Sequence, residues 1–197
     1  IANTEIDKET AEMMASLKSA FKDKVVNVVS SSKNEALNVV YVGSDTDPGH
    51  YYLFNKSKNT LKSLVSPMGW IDKSQLSPMK PIKFNSRDGL TIRGYLTIPK
   101  DSNGKNLPLI VNPHGGPYGI RDAWGFNSET QFFASRGYAT VQVNFRGSGG
   151  YGRKFQQAGY GGKWGAEMQN DLTDAIEYLV GEGVIDPKRV CIYGSSY

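Results

Sequence analysis

One cysteine, two histidines and no long apolar run are what this 197-residue sequence has least of, and each scarcity excludes something. Cys191 alone cannot close an internal disulfide, so the fold must rest on an apolar core, which a chain of this length can build. It lies in an apolar strand-like run, where a small buried packing residue is expected. His50 and His114 have no neighbours at metal-ligand spacing, so neither metal nor cofactor is expected. The glycines of 147–152 and 159–162 lack the strand-to-helix context of a phosphate or dinucleotide loop. No segment approaches the roughly 20 apolar residues that span a bilayer, and Ile1 to Glu12 lacks the layout of a signal peptide, so no membrane partner is expected. Because the sequence opens on Ile1 rather than Met, the natural N-terminus is expected to be absent. The single cysteine leans toward a reducing, cytoplasmic compartment, with an exported or periplasmic one still open. The net charge of +4 comes from scattered Lys and Arg without a dense basic block, which argues against a nucleic-acid partner.

What is present divides into two textures. From Asp7 to Phe21, Met13, Leu17, Ala20 and Phe21 share one helical face, predicting an amphipathic helix. Short β-rich runs follow at 24–30, 38–42, 50–55 and 60–65. Ser31 to Asn34, Asp47-Pro48-Gly49 and Lys56 to Asn59 separate them as turns, which predicts an antiparallel meander the size of one propeller blade. Residues 1–66 form this first part, and 67–80, punctuated by Pro67 and Pro78 around Trp70, read as a linker. From Pro81 the pattern becomes α/β. Strands are predicted at 82–86 and 90–98 around an Arg87-Asp88-Gly89 hairpin, then at 107–112, 138–144 and 189–193. A helix capped by Ser128 and closed by Gly137, and another over 167–180, alternate with the later strands and point to a mainly parallel sheet.

Two motifs carry chemistry. Val190 to Tyr193 runs into Gly194-Ser195-Ser196-Tyr197, which fits the first four positions of G-x-S-x-G and places Ser196 at the nucleophile position. A small residue two before the serine permits the sharp turn that would expose the hydroxyl at the carboxyl edge of the sheet. The Tyr197 N–H could then face a developing oxyanion. Gly-Ser-Ser is also ordinary loop composition, and that reading competes. Independently, Asn112-Pro113-His114-Gly115-Gly116-Pro117 ends another strand, where an α/β-hydrolase carries its second oxyanion amide. His114 precedes the serine, whereas the hydrolase base follows it, so His114 is expected to be a packed or hydrogen-bonded loop residue.

The stretch from Pro81 onward resembles the prolyl oligopeptidase family, in particular its acylaminoacyl-peptidase and dipeptidyl-peptidase-like members. The resemblance rests on Arg87 to Leu90 with Gly94 to Leu96, His114 to Pro117, Ser135 to Tyr138, Asn144 to Ser148, Tyr151-Gly152, Trp164-Gly165, Asp171 with Asp174-Ala175, Asp186 to Arg189 and Gly194 to Tyr197. It extends to the Asp45 to Gly49 turn and Tyr51 to Leu53, which are similar to a last propeller blade. It implies the N-terminal part of an α/β-hydrolase catalytic domain over 81–197, a Ser196 acyl-enzyme, an oxyanion hole from Gly116 and Tyr197, and short peptide substrates. Tyr118 and Arg146 become candidates for the substrate pocket, with a structural ion pair the stronger reading of Arg146 and core packing that of Trp164. Asp171 and Asp174 are expected to cap a helix rather than join a triad. The family's triad acid and histidine follow its serine, so the 197-residue piece is expected to be inactive. It is also expected to self-associate or to pair with the missing C-terminal half. A carboxylesterase or lipase on the same fold, and a non-catalytic binding module, remain open alternatives.

Overall fold

The computed structural model describes residues 8–196, and these form two compact units. The first holds the chain up to Ser74 together with Gly125–Asn127. Helix α1 (Lys8–Ala20) is followed by β1 (Val25–Ser31), β2 (Leu37–Ser44), β3 (Asp47–Asn55) and β4 (Thr60–Val65), a four-stranded antiparallel meander in chain order. Leu17 on α1 is buried with Val26, Val40, Val42 and Phe54, and Met13 and Phe21 flank this core. Ala20, expected on the same face, points to solvent, and Asp7 lies outside the described residues. One expected turn is displaced: Ser44 pairs with Asp47, so Asp45-Thr46 makes the turn and Asp47-Pro48-Gly49 continues as strand.

The second unit holds Gln75–Trp124 and the residues from Ser128 onward. Its strands are β5 (Met79–Asn85), β6 (Thr91–Thr97), β7 (Leu107–Val111), β8 (Ala139–Asn144) and β9 (Ile185–Ile192). Its helices are α2 (Ser128–Ala134), α3 (Arg153–Gln157) and α4 (Glu167–Gly181). The sheet order is β5-β6-β8-β7-β9. The sheet is mixed rather than mainly parallel, with β5, β6 and β8 pairing antiparallel and β8, β7 and β9 parallel. For β5 and β6 the reason is the loop at 86–90, which is too short for the crossover that parallel strands need. Within it only Gly89 takes a positive φ, of 82°.

All six residues of β8 are buried, as a central strand requires, and Val141 and Val143 pack with Ile92, Leu96, Leu109 and Val111. Met168, Leu172, Ala175 and Leu179, at helical spacing on α4, complete this core. On the alternate positions of β8 lie Thr140, Gln142 and Asn144: the Gln142 amide donates to Asp122 and the Asn144 amide to the Asp122 carbonyl and the Tyr151 hydroxyl, whereas the Thr140 hydroxyl is buried without a partner among the described residues. Ser128 is the first helical residue of α2 rather than its cap. Phe133 packs edge-on against Tyr193, whereas Phe132 is open to solvent.

Candidate active site

The parallel strands β8, β7 and β9 deliver their C-terminal ends to one edge of the sheet, and the two motifs meet there. Asn112 ties the three ends together. Its N–H donates to the Val141 carbonyl at 2.9 Å and its side-chain amide to the Tyr193 carbonyl at 3.0 Å, while the Tyr193 N–H donates to Val111 at 2.9 Å. The chain then turns against Pro113. A Cβ on Gly194 would lie 3.2 Å from Pro113 Cγ and 3.3 Å from its carbonyl oxygen, so a side chain here would fit only if Pro113 gave by a few tenths of an ångström. Ser196 follows with φ of 76°, a left-handed conformation that residues other than glycine adopt where the surroundings impose it.

The glycine corner abuts this turn. A Cβ on Gly115 would fall 3.2 Å from Ser196 Cβ and 3.7 Å from its Oγ, so the Gly115 backbone lies directly beside the serine side chain. Gly116, with φ of 128°, continues the corner. Tyr197, expected to supply the other amide, lies outside the described residues.

His114 holds the corner from behind. Its Nδ1 lies 2.8 Å from the Gly115 carbonyl oxygen and its Nε2 2.8 Å from Ser148 Oγ, and its ring stacks on Phe145 at 4.4 Å. A carbonyl oxygen only accepts, so Nδ1 carries the proton and Nε2 accepts from the Ser148 hydroxyl. Burial pushes the imidazole pKa down, which favours this neutral form. Both ring nitrogens are thus engaged away from proton transfer, as expected of a hydrogen-bonded loop histidine. The loop after β8 is stitched to the glycine loop by Gly119 N–H to the Gly147 carbonyl and Gly149 N–H to Ile120, each 3.0 Å. Tyr118 lies on this junction, exposed, edge-on to Tyr160 at 4.9 Å.

Arg146 makes the structural ion pairs that were its stronger reading: it is buried, its Nε and Nη2 donate to Asp171 at 2.9 and 2.7 Å, and Nη1 donates to Asp88 at 2.7 Å. The Arg146 guanidinium, helped by the Ser86 hydroxyl, holds Asp88 well below the usual carboxylate range. Other expectations need correction. Asp171 and Asp174 do not cap α4. They lie beyond its first turn and bind Arg146 and Arg87, the latter donating Nε–H to Asp174 at 2.8 Å. Trp164 is 65% exposed rather than in the core. Cys191 is exposed too, because β9 is the edge strand and one of its faces has no covering element among the described residues. Asn112 and Ser148 were named only within their motifs, and the sequence assigned neither a role, although a polar residue closing an apolar strand is the signal that marks Asn112.

A mixed sheet with a sharp serine turn at the end of β9, beside a double-glycine corner at the end of β7, defines the front part of an α/β-hydrolase. The prolyl oligopeptidase family description matches residues 124–197. Dipeptidyl aminopeptidase BIII of Pseudoxanthomonas mexicana is 36% identical over 179 residues, covering 87% of this chain and 26% of that protein. Among solved structures, a Mycobacterium tuberculosis puromycin-hydrolyzing peptidase superposes with a TM-score of 0.71 at 26% identity, over 81% of this chain and 25% of that one. The Pyrococcus horikoshii acylaminoacyl peptidase gives 0.67 at 29% identity, over 86% and 27%. The chain spans about a quarter of the length of these relatives. Over residues 124–197 the chain is similar to the prolyl oligopeptidase family, and it is similar to these relatives beyond that stretch as well.

Proposed function

We propose that the protein carrying this chain is a serine peptidase that cleaves short peptides through an acyl-enzyme on Ser196. The observation that carries the reading is the placement of the Ser196 side chain, in a left-handed backbone turn, against the Gly115 backbone. In this mechanism Ser196 Oγ attacks the scissile carbonyl, and the N–H groups of Gly116 and Tyr197 stabilise the oxyanion as charge develops. Losing one such donor typically lowers kcat by about 10²–10³-fold. Dipeptidyl aminopeptidase BIII and the acylaminoacyl peptidase are named for peptide substrates, which supports a peptide rather than an ester as the physiological substrate. The four-stranded meander is read as a propeller blade and residues 81–197 as part of the catalytic domain.

A serine hydroxyl needs a base to attack at neutral pH. Of the two histidines in these 197 residues, His114 has both nitrogens engaged and His50 bonds Ser63 in the first unit. The 197-residue chain by itself is therefore expected to react slowly. Labelling with a fluorophosphonate probe tests both statements. The whole natural protein should label rapidly and lose labelling in Ser196→Ala, and rapid labelling of that variant would overturn the assignment. Rapid labelling of the isolated chain would overturn the claim that it lacks a working base.

A further inference from the structure

Away from the serine turn, the β5–β6 hairpin brings like charges together. Lys83 and Arg93 are direct cross-strand partners on one face, which places their Cβ atoms about 5 Å apart, an arrangement that destabilises a sheet when nothing offsets it. A third cation arrives from the glycine loop: Arg93 Cζ lies 5.4 Å and Arg121 Cζ 5.8 Å from the centroid of the Tyr151 ring. Lys83, Arg93, Tyr95, Arg121 and Tyr151 line a cleft of about 320 Å³, and no carboxylate lines it. None of the ion pairs among the described residues involves Lys83, Arg93 or Arg121. The acid next along the chain, Asp122, turns inward to accept from the Gln142 amide at 3.0 Å.

We propose that this cleft binds the oxyanion group of a ligand, a phosphate or a carboxylate. Two guanidinium groups offer the paired N–H donors that match such groups, the lysine adds a mobile third charge, and the Tyr95 and Tyr151 hydroxyls add neutral donors. A bound anion also offsets the Lys83–Arg93 repulsion, so the charges that weaken the empty hairpin become the source of affinity. Arg93 pairs with Asn144, the last residue of β8, so the cleft opens at the same sheet edge as the serine turn, three strand spacings or about 14 Å away. The site is independent of the hydrolase reading.

The test is titration of the whole natural protein with inorganic phosphate against chloride at matched ionic strength, followed by calorimetry and thermal unfolding. Saturable binding is expected, with a midpoint rise of a few degrees at tenfold excess over Kd. Arg93→Gln and Arg121→Gln should each weaken binding at least tenfold, while Lys105→Gln, at an exposed position elsewhere, leaves it unchanged. Absence of saturation, or an equal loss in Lys105→Gln, overturns the proposal. Competition by a dipeptide with a free carboxylate but not by its amide assigns the site to a peptide terminus; competition by neither assigns it to a phosphate-bearing ligand.

Discussion

Ser148 is fully buried and gives its hydroxyl proton to His114, which in turn fixes the Gly115 carbonyl. Rotating that peptide would move the adjoining amide, and misplacing a reacting geometry by about 1 Å can lower a rate by about 10²-fold. Ser148→Ala in the whole protein should slow fluorophosphonate labelling of Ser196 by about 10–100-fold while the substrate KM stays near its original value. An unchanged labelling rate would show that the histidine holds its place through the Phe145 stack alone. The glycine and serine positions were legible in the sequence because a tight turn and a close backbone approach admit few residue types. The partners of Arg146 were not legible: Asp88 is 58 residues away and Asp171 is 25, and nothing local links them. Helical position alone suggested that Asp171 and Asp174 serve the helix dipole, whereas burial beneath two arginines decided their role.

At the level of elements, Arg146 fastens the loop after β8 to α4 and to the β5–β6 hairpin at once. Arg146→Leu leaves Asp171 as a buried charge without its partner, and a loss of about 3–5 kcal/mol is expected in denaturant unfolding. A second lever lies on the polar side of β8. Burial pushes the Asp122 carboxyl up to about 6, the Gln142 amide pulling only partly the other way. Because the folded state raises this pKa, the unprotonated acid opposes folding, so this group's contribution to stability is fully present at low pH and is lost as pH rises through about 6. Asp122→Asn removes that slope. An asparagine amide can also donate to Gln142 Oε1, which has no partner among the described residues. The variant should gain up to about 3 kcal/mol above pH 7 and little below pH 4, read from unfolding midpoints across that range. Mean strand direction was harder to read than strand position: the short 86–90 loop makes β5 and β6 antiparallel, but β6 and β8 are far apart in sequence and nothing local sets which way they pair.

For the molecule as a whole, the change of texture after Ser66 reflects hydrophobic period and turn spacing, which are local properties, whereas the compact units divide between Ser74 and Gln75 and β5 starts at Met79, inside the stretch expected as a linker. Exposure at the far side of the sheet is not a local property, since it depends on what lies beside β9. Cys191 read as a small buried packing residue, yet it and Ile192 are exposed on β9, the edge strand of its sheet. Such an edge invites pairing with another chain. The 197-residue chain is expected to sediment as a species larger than a monomer, and Ile192→Lys should shift it toward the monomer; a monomeric parent chain would contradict this. Asn112 carries a different kind of consequence. Since its side-chain amide clasps the Tyr193 carbonyl and its own N–H reaches Val141, the chain entering the turn at 194–196 is held by Asn112 and by main-chain groups rather than by the Ser196 side chain. Evolution can therefore exchange the group at position 196, for a thiol or a hydrogen, without rebuilding the cradle around it, and active and silenced descendants of this scaffold would share the same backbone.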